Sequence, residues 1–162
     1  VLAALSDEFD RSLGYGAAID YLREKGVEYF NRETDSSKGY GNSITVDVTT
    51  AVDAANFKRI SVRGTVTEGN MMISRINDFD KLYFEPTGTA VLFIYKDRPG
   101  VIGKIGQSLA DADINIDDMR NPHDLSQEYS LALMRVSKTV PNNIVEEIAE
   151  DIKALHSSSI TF

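Results

Sequence analysis

Cysteine is absent from all 162 residues of the chain, and histidine occurs only twice. The lack of cysteine excludes disulfides, cysteine-ligated zinc, iron–sulfur clusters and thiol catalysis within these residues. Neither His123 nor His156 stands in the spacing of a nucleophile–base pair or a metal site. His123 lies in a polar Asn-Pro-His-Asp stretch that indicates a surface loop, and His156 follows a predicted helix, whose carboxyl end favours positive charge. We therefore expect neither catalytic residues nor a metal in this chain.

Long apolar runs and clustered basic residues are also lacking. No stretch approaches the roughly 20 apolar residues of a membrane-spanning helix, and the chain does not open like a signal peptide. The formal net charge is −8, with 17 basic residues scattered among 25 acidic ones. Because phosphate contacts need clustered Lys and Arg, this balance argues against a nucleic-acid partner. We expect a soluble cytoplasmic protein that binds neither nucleic acid nor membrane.

The first half of the chain has the pattern of an α+β unit with an antiparallel sheet. Helices are predicted over 2–13 and 17–25, and a polar loop over 31–42. Because the chain opens on Val1 and not on Met, we expect a fragment that lacks N-terminal parts. Alternating apolar residues then predict four strands. These strands span 43–50, 58–67, 71–76 and 81–84.

A linker, Glu85-Pro86-Thr87-Gly88, separates this half from a second pattern. We place a domain boundary there, which gives domains 1–86 and 87–162. The order of elements in the second domain is βαββαβ, the ferredoxin-like unit. Both helices then cover one sheet face, which leaves a sheet edge or face free to pair with a second copy. The elements span 89–96, 99–112, 114–121, 128–138, 141–155 and 158–162.

The turn Asp97–Gly100 has the residues needed to bind a free amino acid. A ligand carboxylate is favoured at the N–H groups of a helix N-terminus, here those of Val101 and Ile102. A ligand ammonium is favoured beside Asp97, and Asn115 opens a later strand that we expect to reach the same place. Tyr95, just before the turn, is positioned to wall the pocket. The alternative is that Asp97 only fixes a turn and Asn115 only caps a loop.

Three glycines, Gly100, Gly103 and Gly106, recur at a spacing of three residues. This is not the GxGxxG pattern of a dinucleotide site, and no Walker loop is present. The glycines let the predicted helix approach its sheet closely, or let a ligand approach the backbone.

The stretch Tyr95–Met119, with Tyr-x-Asp-Arg-Pro-Gly-Val-Ile-Gly followed by Ile-Asn-Ile, resembles the ACT domain of the long-form D-3-phosphoglycerate dehydrogenases. Segments 17–28, 44–49 and 61–69 are similar to the intervening, allosteric substrate-binding domain of that family. The resemblance covers nearly the whole chain. It implies that catalytic domains lie upstream in the parent enzyme, which would oxidise 3-phosphoglycerate with NAD.

The resemblance also implies a ligand and a partner. In the family, L-serine binds between two ACT domains paired side by side and inhibits the enzyme. The family's serine ligands match Tyr95, Asp97 and Asn115. With the helix start included, the expected effector site for L-serine or another small amino acid consists of Tyr95, Asp97, Pro99, Gly100, Val101, Ile102, Gly103 and Asn115. No cofactor is expected in the fragment itself.

Some members of the family also bind an anion through basic residues of the intervening domain. The matching positions here hold Ile73, Asp80 and Glu85, none of which is basic. An anion site in the first half therefore stays an open question.

Two other interpretations remain open. The first is the β part of an iron–sulfur L-serine dehydratase, which joins similar domains in the same order. Its expected cysteines and Ser-Ser-Ser-His-Thr stretch are not in this sequence. The second is an oligomerisation module whose amino-acid site is empty. A free-standing enzyme is the least favoured interpretation, because no catalytic constellation stands out.

Overall fold

The computed structural model describes residues 15–24, 43–51 and 57–162. The chain divides into two compact units, residues 1–39 and residues 40–162. In the first unit, helix α1 spans Tyr15–Glu24 and carries an exposed ion pair between Arg23 and Asp20 at 3.3 Å. This helix confirms most of the one predicted over 17–25. The predicted helix 2–13 and the polar loop 31–42 lie outside the described residues.

The second unit begins with an antiparallel sheet of four strands in the order β1-β2-β3-β4. Alternation explains this sheet, because Ile44, Val46 and Val48 stand opposite Gly64, Val62 and Ile60 on one face. Positive φ angles at Glu68 (53°) and Gly69 (83°) make the two-residue turn between β2 and β3. The strands span Ser43–Ala51, Phe57–Thr67, Asn70–Ile76 and Phe79–Phe84.

The second sheet of this unit is also antiparallel and has the order β6-β7-β5-β8. Helices α2 and α3 follow β5 and β7 along the chain, which confirms the predicted ferredoxin-like βαββαβ unit. The strands span Thr89–Lys96 (β5), Ile116–Arg120 (β6), Tyr129–Val136 (β7) and His156–Thr161 (β8), and the helices span Val101–Asp111 (α2) and Asn142–Asp151 (α3). No helix among the described residues is long and apolar enough to cross a membrane.

Both helices of this unit end earlier than predicted. Asp113 (φ 55°) and Lys153 (φ 50°) take the left-handed conformation after α2 and α3. The following N–H groups close each end, with Ile114 bonding the Leu109 carbonyl at 2.9 Å and Ala154 bonding Ala149 at 2.8 Å. This is the usual glycine-type helix ending, made here without glycine.

The strand β7 contributes to two cores, one on each face of its sheet. On one face, Ala132 and Met134 pack with both helices around Phe93, Ile105 and Ile148. On the other face, Ala90, Leu131 and Leu133 pack against four residues of the first sheet. Those four residues are Ile76, Phe79, Leu82 and Phe84.

The face predicted to be free for a second copy is therefore covered by β3 and β4, and the sheet edges are what remains. Both sheets lie within the one compact unit 40–162. The domain boundary at residues 86 and 87 falls between the sheets and stays a prediction.

Two arginines fasten the sheets to each other. The guanidinium of Arg120, at the end of β6, donates to the carbonyls of Leu82 at 2.8 Å and Tyr83 at 3.4 Å, and it pairs with Asp118. Arg135 on β7 reaches the linker, where it pairs with Glu85 at 3.5 Å. The edge strand β6 and the strand β4 are thus joined through one side chain.

Candidate functional site

Asp97 follows β5 and is held by two hydrogen bonds. Its N–H donates to the carbonyl of Glu128 at 2.9 Å, and its Oδ1 accepts from the Ser130 hydroxyl at 2.8 Å. Ser130 is fully buried, whereas 41% of the Asp97 side chain is exposed. The buried hydroxyl orients the carboxylate, and the exposed part of that carboxylate is available to a cation.

His123 shares this hydrogen-bond network. Its Nδ1 lies 3.0 Å from Ser130 Oγ and 3.9 Å from Asp97 Oδ2, and 53% of its side chain is exposed. The sequence predicted a surface loop residue, which agrees with the exposure but misses both neighbours. Two pairings bring these residues together: β5 with β7 sets Ser130 opposite Tyr95, and an antiparallel bridge sets His123 opposite Ser130.

Tyr95 lies beneath the site and not on its surface. Only 1% of the residue is exposed, and its hydroxyl accepts a hydrogen bond from Asn121 Nδ2 at 3.0 Å. Asn121 also donates to the carbonyl of Leu131 at 3.0 Å. Burial raises the pKa of Tyr95 above its ordinary value, so the hydroxyl stays protonated at neutral pH. A direct contact between Tyr95 and a ligand stays a prediction.

The start of α2, at Val101, comes four residues after Asp97 in the chain. Pro99 and Gly100 form the turn, and Gly100 has a φ of 90° at the N-cap position. The N–H groups of Val101, Ile102 and Gly103 come first in the helix and have no partner within it. No side chain of the described residues caps this end. The helix therefore presents unpaired donors and the positive end of its dipole close to an acidic side chain.

Gly100 and Gly103 give a matched pair of stability predictions. A Cβ built at either position meets nothing within 4 Å in the described structure, so sterics do not separate them. Gly100 has a positive φ, and we expect Gly100→Ala to destabilise the chain by about 1–2 kcal/mol. Gly103 is helical, and Gly103→Ala should stabilise by up to about 1 kcal/mol. Urea unfolding measures both, and equal changes for the two variants would contradict the backbone argument.

Within one chain the structure separates Asn115 from Asp97, and the assignment of Asn115 to the effector site stays a prediction. Val136 stands opposite both Thr89 and Ile116, so Asn115 lies at the end of the sheet where β5 begins. Asp97 lies beyond the other end, eight residues after Thr89, which corresponds to about 26 Å along the strand. β7 also separates β6 from β5. The Asn115 side chain donates to Asp117 Oδ1 at 2.8 Å.

Comparisons with known proteins connect these features to a family. No protein-family model matches the chain. The D-3-phosphoglycerate dehydrogenase of Bacillus subtilis is 31% identical over 145 residues, which cover 89% of this chain and 26% of that protein. Over this segment the chain belongs to the D-3-phosphoglycerate dehydrogenase family.

Two further D-3-phosphoglycerate dehydrogenases agree with this assignment. The protein of Methanocaldococcus jannaschii is 28% identical over 79% of this chain and 23% of its own length. The protein of Synechocystis is 20% identical over 90% of this chain and 26% of its own length. The chain thus spans about a quarter of the relatives that it matches, the share expected for the C-terminal region of a long-form enzyme. These relatives support the dehydrogenase interpretation over the serine dehydratase one.

In this member of the D-3-phosphoglycerate dehydrogenase family, a cavity lies beside the site. It has a volume of about 490 Å³ and is lined by the β3–β4 turn and by the loop after β6. The lining residues are Asp78, Asp80, Lys81, Arg120, Asn121, Pro122, His123 and Leu125. The described residues hold no group of three or more His, Cys, Asp or Glu that could bind a metal ion.

The arginines of the first sheet bond to polar side chains of that same sheet. The pairs are Arg59 with Asp47 at 3.0 Å, Arg63 with Thr45 at 3.3 Å and Arg75 with Ser61 at 3.0 Å. Hydrogen bonds from Ser61 and then from Arg59 lower the pKa of Asp47. These bonds give the three arginines structural roles within the sheet.

Proposed function

We propose that this chain is the L-serine-sensing, regulatory region of a cytoplasmic, NAD-dependent D-3-phosphoglycerate dehydrogenase, and that its second sheet with α2 and α3 is an ACT domain. The observation that carries the proposal is the Asp97 carboxylate, which the buried Ser130 holds one short turn before the uncapped start of α2. A free amino acid has one charge of each sign, and the two receptors adjoin each other in the chain. Catalysis and NAD binding belong to the upstream domains of the parent enzyme.

Each of the two receptors binds one charged group of the ligand. The ammonium pairs with the exposed part of the Asp97 carboxylate. The carboxylate accepts hydrogen bonds from the N–H groups that open α2, from Val101 to Gly103, where the helix dipole also favours an anion. Gly103 has no side chain and faces open space, so a ligand can approach the backbone there.

A second copy completes the proposed site. β6 is an edge strand, and pairing two β6 strands antiparallel sets the start of one beside the end of the other. The end of β6 lies on the side of Asp97, because the next residue, Asn121, bonds to Tyr95. In such a pair, Asn115 of the second copy comes to the Asp97 end of the first. Because Asp97 and Asn115 lie far apart within one chain, they can contact the same ligand only when two chains pair.

Regulation follows from this shared site. L-serine contacts both copies only when they are paired, so it stabilises the paired arrangement by its difference in affinity for the two states. Since the Arg120 side chain joins β6 to the backbone of β4, a shift of β6 on pairing would also move β4 of the first sheet.

The proposal is tested by titrating the chain with L-serine in a calorimeter. D-serine, glycine and L-phenylalanine serve as controls for stereochemistry and size. We expect saturable binding of L-serine alone, together with a shift toward dimer in sedimentation velocity. If no amino acid gives heat at millimolar concentration and self-association is the same in all samples, the chain is an oligomerisation module and the sensing proposal is wrong.

A further inference from the structure

We propose that His123 makes the amino-acid site sensitive to acid, because a proton on His123 and a ligand ammonium at Asp97 compete for the same carboxylate. This inference rests on the proposed function, since it needs a cationic group at Asp97. It concerns a residue outside the effector site expected from the sequence. The basis is the chain of contacts from His123 through Ser130 to Asp97.

The hydrogen bonds determine which ring nitrogen carries the proton. Ser130 has one hydroxyl hydrogen, and an ionised Asp97 can only accept, so the hydroxyl donates to Oδ1. The Ser130 oxygen must then accept from His123, whose Nδ1 lies 3.0 Å away. In the neutral ring Nδ1 is therefore protonated and Nε2 is bare. A second proton enters at Nε2 and leaves this relay intact.

Uptake of that proton sets a positive charge 3.9 Å from Asp97 Oδ2. That oxygen is the one not bonded to Ser130, and it is the oxygen that an incoming ammonium would use. The protonated His123 ring therefore pairs with the same carboxylate that the ligand ammonium would pair with. Binding of the ligand and protonation of His123 therefore oppose each other.

Four charged side chains line the same cavity as His123. They are Asp78, Asp80 and Lys81 from the β3–β4 turn and β4, and Arg120 from β6. Asp124 follows His123 in its own loop. Asp124 accepts hydrogen bonds from Ser126 and from two backbone N–H groups, which lower its pKa. Carboxyl, ammonium and guanidinium side chains do not ordinarily change charge between pH 5.5 and pH 8. Histidine is the one type in this set that does.

Affinity for L-serine is highest where histidine is neutral, near pH 8, and falls as histidine takes up its proton. Since both partners are about half exposed, solvent weakens the competition, and we expect about a fivefold loss of affinity between pH 8 and pH 5.5.

Calorimetry at the two pH values tests this inference, with three proteins. His123→Asn keeps an N–H for Ser130 and removes the titration, and it should bind L-serine equally at both pH values. His156→Asn, the matched control, should keep the fivefold loss of the unaltered chain. An equal loss of affinity in the unaltered chain and in His123→Asn would overturn the role of His123.

A second measurement needs no ligand. Nitrogen-15 chemical shifts of the His123 ring at pH 8 distinguish the two tautomers, and the relay predicts Nδ1–H in the unaltered chain and its loss in Ser130→Ala. A ring protonated at Nε2 in the unaltered chain would overturn the relay, whether or not any amino acid binds. If L-serine binds with the same affinity at both pH values, the competition between His123 and the ligand is refuted and the sensing proposal stands. If no amino acid binds, the sensing proposal is refuted, and the competition with it.

Discussion

Asp97→Ala is expected to weaken binding of L-serine by about 2 kcal/mol, roughly thirtyfold in Kd. The variant removes the carboxylate that faces the ligand ammonium and leaves the Ser130 hydroxyl without its acceptor. A fully desolvated pair would lose more. Because 41% of the Asp97 side chain is exposed, water screens the pair, and the expected loss of binding free energy is smaller. Titration calorimetry at pH 8 measures the change.

Two further variants separate charge from structure in this experiment. Asp97→Asn keeps an oxygen that accepts from Ser130, so it should fold normally and lose nearly as much affinity as the alanine variant. Asp111→Asn makes the same change of charge at the far end of α2, where Asp111 bonds only to Gln107 among the contacts described. It should bind L-serine normally. Unchanged affinity in Asp97→Ala would remove Asp97 from the site.

Phe84→Ala is expected to lower the free energy of unfolding by about 3–5 kcal/mol. Phe84 is fully buried on β4, in the core that the first sheet shares with Ala90, Leu131 and Leu133 of the second. Truncation leaves a cavity between the two sheets, which the paired backbones cannot easily close. Urea unfolding, followed by tyrosine fluorescence and by circular dichroism, measures the change.

The neighbouring residue supplies the control for this prediction. Tyr83 is on the same strand and is 50% exposed, so Tyr83→Ala should lower the free energy of unfolding by less than about 1 kcal/mol. Similar losses for the two variants would mean that β4 is stabilised by its backbone bonds and not by the shared core.

The strands of the first sheet were predictable because their apolar residues alternate. β5 was predicted to the residue at 89–96, because turn residues flank its continuous apolar run on both sides. The helix ends were less predictable. Asp113 and Lys153 close α2 and α3 in a conformation usually taken by glycine, so the glycine that commonly marks a helix end is missing from the sequence there. The predicted helices therefore ran past the true ends.

Of the residues of the candidate site, only those close together in the sequence could be predicted. Asp97 and the start of α2 are neighbours in sequence, so a local pattern was enough to find them. Ser130 and Asn121 reach the site only through strand pairing, which no local pattern contains. The separation of Asn115 from Asp97 within one chain could not be predicted for the same reason, because it depends on the register of β6 with β7.

The two cores that share β7 have an evolutionary consequence. Successive residues of that strand face different partners, with Leu131 and Leu133 toward the first sheet and Ala132 and Met134 toward the helices. A gene rearrangement that joined residues 87–162 to a different neighbour would place alternate side chains of a central strand in water. Such a transfer would succeed only with a new neighbour of matching shape, or after replacement of every second residue of β7. The two sheets are therefore expected to be inherited together, and their facing residues to change in concert.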